Sequence, residues 1–207
     1  MNKKHSILLL LLFVMLPVFS QSERFKDIPT LVNAYAALKH NPSSVEKQTD
    51  FLKAFPKSWA DFCSIYNHYD YRTRKYDRLY SEASEHILAL KSLDKVEAPV
   101  LVDALVGLTY GSCWDADAPN YLQEVLHTLM AKQTDAFFDT LLTRTKAEQM
   151  DFWAFYWSGL HENARYKKEV KELEARMQDR YPAVVQAMSL ANEYYNGSVT
   201  LTQTASY

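Results

Sequence analysis

The chain has 207 residues, 48% of them hydrophobic, with 23 lysines and arginines against 25 aspartates and glutamates and a net charge of −2. A nucleic-acid binder gathers a basic excess on one face, and this balance supplies none. Four glycines in the whole chain leave no glycine-rich phosphate loop, which sets aside nucleotide chemistry through its common motifs.

The first segment has the order of a secretory signal: Lys3 and Lys4, an apolar run from Ile7 to Leu16, then Pro17 with Val18 and Ser20 as small residues before a cut. A helix crossing the hydrocarbon core of a bilayer needs about 20 apolar residues, so this shorter run reads as a cleaved signal peptide, Met1–Ser20, and not as an anchor. The predicted mature chain begins at Gln21. No cysteine lies near the cut, which speaks against a lipid-modified N-terminus. Losing Lys3 and Lys4 leaves 21 basic against 25 acidic side chains, a mature net charge of −4. The expected product is exported, periplasmic or extracellular, and held by no membrane anchor after cleavage.

From there apolar residues recur at spacings of three and four almost throughout, the period of amphipathic helices. A first helix is predicted from Ile28 to about Lys39 with Leu31, Tyr35 and Leu38 inward, ending at His40-Asn41-Pro42. Ser43 with Glu46 three positions on reads as a capping box that restarts the chain. Pro56 interrupts that helix, and Trp59, Phe62, Cys63 and Tyr66 mark the next apolar stripe. A polar stretch follows at 68–75. Its basic residues, Arg72, Arg74 and Lys75 with Arg78 beyond, alternate with Tyr71, Tyr76 and Tyr80. Asp70, Asp77 and Glu82 dilute the charge, so the cluster reads as a solvated face.

Leu79, Ala83, Ile87 and Leu90 carry a helix to about Leu93. Pro99 opens another, with Leu101, Ala104, Leu105 and Leu108 inward, ending at Tyr110-Gly111. Asp117 can cap the next through its carboxylate, with Pro119 tolerated in the first turn and Leu122, Val125, Leu126 and Leu129 buried. A short connection is expected before a helix around Phe137–Leu142. Thr145 and Glu148 form a second capping box ahead of the aromatic stretch 152–157. Tyr166, Val170, Leu173 and Met177 give a narrow stripe on an otherwise charged helix, and Val185, Met188, Ala191 and Tyr195 the last one before Asn196-Gly197. No linker divides the chain. The expected fold is all-α, one domain of eight or nine mostly antiparallel helices over residues 21–196, as a bundle or a curved stack of helix pairs, with a polar tail at 197–207. No fixed repeat period stands out.

Cys63 and Cys113, in an oxidising compartment, could close a loop of about 50 residues, a link worth about 4 kcal/mol in the chain-entropy estimate. Each could equally be a small buried hydrophobe.

The most unusual local sequence is the loop Gly111–Asn120, which concentrates Cys113, Trp114, Asp115, Asp117 and Asn120. A calcium loop starting at Asp115 would want an oxygen ligand, a glycine and a glutamate where the chain has Pro119, Asn120 and Leu126, so that reading fails. His161-Glu162 begins like the zinc-protease helix motif, but Arg165 stands where the second imidazole is required, and no metal site forms. Cys–His nucleophile pairs lack any local signature. Asn196-Gly197-Ser198 fits a glycosylation acceptor, a pattern that also arises by chance.

Rings at 100° intervals over 152–157 surround the helix, which makes it either a central helix enclosed by its own domain or one with a contact face carried by Trp153 and Trp157. The expected function is a non-enzymatic exported protein, without cofactor or metal, that binds another protein or an envelope glycan in an immunity- or adaptor-like role. Its candidate contacts are Trp114, Asp115, Asp117, Asn120, Trp153 and Trp157. Two alternatives stand beside it: a secreted hydrolase acting on a glycan or peptide through Asp115 and Asp117, and a small-ligand carrier with a pocket among the helices.

Overall fold

A computed structural model describes residues 27–66, 69–70, 75–76, 79–113, 117–158 and 164–195. The predicted signal segment, Arg72, Arg74 and Arg78 of the basic cluster, Trp114, Asp115, His161, the acceptor Asn196 and the tail lie outside these residues.

The described chain is helical: α1 (Ile28–His40), α2 (Val45–Ala54), α3 (Trp59–Tyr66), α4 (Ala83–Ala89) with a single 3-10 turn at Leu90–Ser92, α5 (Ala98–Leu108), α6 (Ala118–Leu142), α7 (Lys146–Trp157), α8 (Ala164–Met177) and α9 (Pro182–Tyr195). The exception is a two-residue antiparallel ladder, β1 (Tyr69–Asp70) against β2 (Lys75–Tyr76), within the polar stretch.

Local chemistry accounts for the boundaries. Thr145 Oγ1 accepts from the Glu148 amide at 3.3 Å while Glu148 Oε2 accepts from the Thr145 amide at 2.9 Å, the reciprocal pair expected at the start of α7. The predicted Ser43–Glu46 box is corrected. Ser44 is the N-cap of α2, its Oγ accepting from the Lys47 amide at 3.3 Å, and Glu46 pairs with Lys47 Nζ at 2.9 Å. The predicted connection before Phe137 is also absent. α6 runs through it with one break at Gln133 (φ −135°, ψ 36°), beside which Thr134 Oγ1 donates to Met130 O at 2.7 Å. Such back-bonding bends a helix without ending it.

The buried apolar residues form one cluster spanning α1 to α9. α7 lies inside it and packs most extensively against α9, α5 and α4 pack against α6, and α1 packs against α2. Phe152, Trp153 and Tyr156 are fully buried and Trp157 is 3% exposed. Trp153 stacks on Trp157 at 5.9 Å and meets Phe152 edge-on at 4.9 Å. The expectation that Trp153 and Trp157 form a contact face is therefore corrected: their rings spread around α7 because neighbouring helices cover it. The Cys63–Cys113 bridge is likewise absent. Cys63 is half-buried on α3, and Cys113 is exposed beyond α5.

His86 is buried on α4, its Nδ1 3.1 Å from the Tyr66 hydroxyl and its ring 4.3 Å from Tyr35. Burial pushes the Tyr66 phenol up, so it stays protonated beside the imidazole. Burial also lowers the His86 pKa below its ordinary 6.5, against the opposing charges of Glu82 and Glu85 and together with Lys39. A lowered folded value means the unfolded chain binds the proton more tightly. The contribution of His86 is thus complete above pH 6.5 and is lost as pH falls through the folded value, at up to about 1.4 kcal/mol per pH unit. Urea unfolding of wild type and His86→Gln across this range should show the wild-type slope reduced in the variant; equal slopes would assign the acid sensitivity elsewhere.

Candidate functional site

α5 starts with Pro99 in its first turn and ends where Gly111 adopts φ +66°, a left-handed conformation that glycine takes without Cβ strain. Its inner face, Leu101, Val102, Leu105, Val106 and Leu108, is buried. Its outer face is unusual for a solvent face. Val100 is 53% exposed, Ala104 and Gly107 are half-buried, Asp103 is the one charge, and Tyr110, in the turn beyond the helix, is 59% exposed. The exposed positions of α8, by contrast, include Lys168, Lys171, Glu172 and Arg176.

The outer stripe of α5 runs directly into the loop singled out from the sequence, whose described ends are both tied down. At its start the Gly111 amide donates to Asp151 Oδ2 of α7 at 3.0 Å. At its end Asp117 Oδ2 accepts from the Tyr80 hydroxyl at 2.6 Å. Asp117 occupies the N-cap of α6 without making the expected side-chain cap, because Tyr80 takes its carboxylate. The residue sits at φ +65°, ψ −114°, a strained conformation for a residue with a Cβ. Asn120 is exposed on the first turn of α6. Of the six expected contacts, Asp117 and Asn120 lie together at the surface, Trp153 and Trp157 are buried, and Trp114 and Asp115 lie outside the described residues.

Two surface grooves add residues that the sequence did not single out. One, of about 420 Å³, lies between α2 and α5 and is lined by Leu52, Lys53, Lys57, Val100, Asp103, Ala104, Gly107 and Arg144. Arg144 donates to Asp103 across it, and Lys57 Nζ donates to Leu52 O. Burial lowers the Lys57 pKa. No local motif announces this groove, since its residues come from α2, the turn after it, α5 and the turn before α7.

The other groove, of about 350 Å³, lies between α6 and α8 over His127 and Glu169. His127 Nε2 is 3.2 Å from Tyr156 O and Nδ1 3.4 Å from Glu169 Oε2, while the Tyr156 hydroxyl donates to Glu169 Oε1 at 2.6 Å. The hydrogen bonds from Tyr156 to Glu169 and between His127 Nε2 and Tyr156 O join α6, α7 and α8 at this groove.

Among the described residues no group of three or more histidines, cysteines and acids is placed to hold a metal ion, and no helix is long and apolar enough to cross a membrane. Comparison with known proteins finds no matching family model, no similar curated protein and no similar solved structure.

Proposed function

We propose that this chain is an exported protein that acts by binding another protein, in an immunity- or adaptor-like role, through the outer stripe of α5 and the loop that follows it. The observation carrying this reading is the exposure of Val100 on α5 and of Tyr110 in the turn after it, beside a helix stripe whose single charge, Asp103, is paired with Arg144. Large apolar side chains flanking small ones on a helix stripe with one charge of its own suit burial against a partner, where aromatic residues are enriched. The loop contributes Asn120 and, from the sequence, Trp114 and Asp115. Export rests on the sequence features of Met1–Ser20. The hydrolase reading gains no support from Asp117, whose carboxylate is held by Tyr80.

The test compares wild type with Val100→Glu/Tyr110→Glu as immobilised baits for an envelope extract of the native host. Both positions are exposed, so helical circular dichroism should be unchanged. A protein retained in stoichiometric amount by wild type and lost from the variant is the expected result. Equal retention by both, or retention by neither, would overturn it.

A further inference from the structure

We propose that the groove between α2 and α5 is a binding site for a carboxylate carried on an apolar body, such as the C-terminal residue of a peptide or a fatty acid. This rests on the binding reading and deepens it, since Val100, Asp103, Ala104 and Gly107 of the α5 stripe are among the groove's lining.

Charge supplies the first argument. Lys53, Lys57 and Arg144 face one carboxylate, Asp103, which Arg144 already engages. The groove's lining thus carries two more cations than anions in a chain whose net charge is −2, though Lys53 also lines a neighbouring groove with Asp27 and Asp50. Lys57 is drawn against the Leu52 carbonyl, where it is desolvated and its charge penalised. An anion in the groove would offset that cost. Arg144 gives Asp103 a single hydrogen bond from Nη2, which leaves the two lysines as the groove's charges not paired with Asp103. Two lysine point charges suit a monoanion.

The floor supplies the second. Leu52, Val100 and Ala104 are apolar, and Gly107 stands inside α5, where glycine lowers helix stability relative to alanine. A Cβ at Gly107 would meet no atom within 4 Å, and its φ is not left-handed, so neither packing nor backbone conformation requires glycine there. Its missing side chain leaves open space in the groove. A volume of about 420 Å³ lies within the range of ligand pockets, about 300–1,000 Å³, and a lining of apolar side chains together with cations matches a ligand that is apolar at one end and anionic at the other.

The experiment titrates the isotope-labelled mature protein with octanoate, octanol, N-acetyl-leucine and N-acetyl-leucinamide, following amide resonances by NMR. Octanoate, N-acetyl-leucine or both should shift resonances around Lys53, Lys57, Ala104 and Gly107, and each should outcompete its uncharged counterpart. Preference between the two carboxylates separates a lipid acid from a peptide terminus. Lys53→Gln/Lys57→Gln should weaken binding about tenfold, equivalent to about 1.4 kcal/mol, and Gly107→Leu should abolish it. Gly107→Ala keeps the fold testable: it should raise the melting temperature while narrowing the site. Equal binding of octanol and octanoate, shifts centred on another groove, or binding indifferent to these variants would overturn the assignment, as would no binding of either carboxylate. The titration uses the isolated protein, so its failure is distinct from failure of the Val100→Glu/Tyr110→Glu bait to lose a partner.

Discussion

Replacing Trp153 by alanine should lower the free energy of unfolding by about 3–5 kcal/mol, the range for deleting a fully buried large aromatic side chain. The indole is 0% exposed, stacks on Trp157 at 5.9 Å, and touches Phe138 at 5.7 Å and Tyr156 at 5.6 Å, so the cavity opens where α7 meets its neighbours. Domains of ordinary stability hold about 5–15 kcal/mol in total, so such a loss leaves little in reserve. Trp153→Phe sharpens the test. Trp153 Nε1 is buried with no hydrogen-bond acceptor among the described residues, a cost that phenylalanine removes while keeping much of the packing. It should therefore destabilise far less than alanine. Urea midpoints for the two variants measure the difference, and a tolerated Trp153→Ala would mean that α7 is not enclosed by its neighbours.

Gln123→Leu should cost about 2 kcal/mol, from stranding a buried carbonyl that the amide now satisfies. Gln123, 5% exposed on α6, directs its Nε2 to Phe155 O at 2.6 Å, Ser158 O at 2.8 Å and Ser158 Oγ at 2.9 Å. Phe155 O keeps a second donor in Ser158 Oγ at 2.7 Å, so the loss falls on Ser158 O, at the end of α7. Leucine conserves volume and isolates the hydrogen-bond effect from a cavity. The midpoint should shift with an unchanged denaturant slope. A shift below about 0.5 kcal/mol would place Gln123 in the range of ordinary surface substitutions and remove it as a clamp.

These two residues mark where sequence reading succeeds and where it stops. The inward stripes were legible because period alone defines them: Leu31 and Leu38, Leu122, Val125, Leu126 and Leu129, and Val170, Leu173 and Met177 are all buried. The Thr145–Glu148 box was legible because both partners lie within one turn. α7 was not, since its rings point in every direction and only the surrounding helices decide whether any ring meets solvent. Leu142, 53% exposed beside the fully buried Leu141, shows the same ambiguity at single-residue scale.

The candidate surface was half legible. Gly111–Asn120 stood out by composition, and the structure ties its two ends to α7 and Tyr80. Val100 and Tyr110 did not stand out, because in an apolar helix they resemble core positions until the neighbours of α5 are placed. Gln123 and the cations of the α5 groove were invisible for a related reason: their partners are distant in sequence.

A partner held at the outer stripe of α5 would lie against Val100 and Tyr110. Photo-crosslinking tests this most directly, with a benzophenone side chain placed in turn at Tyr110, at Val100 and, on the charged face of α8, at Lys171, in the protein expressed in its native host. Discrete adducts of one mass from positions 110 and 100, and none from 171, are the predicted result. Adducts from 171 alone, or none from 110 and 100, would contradict it.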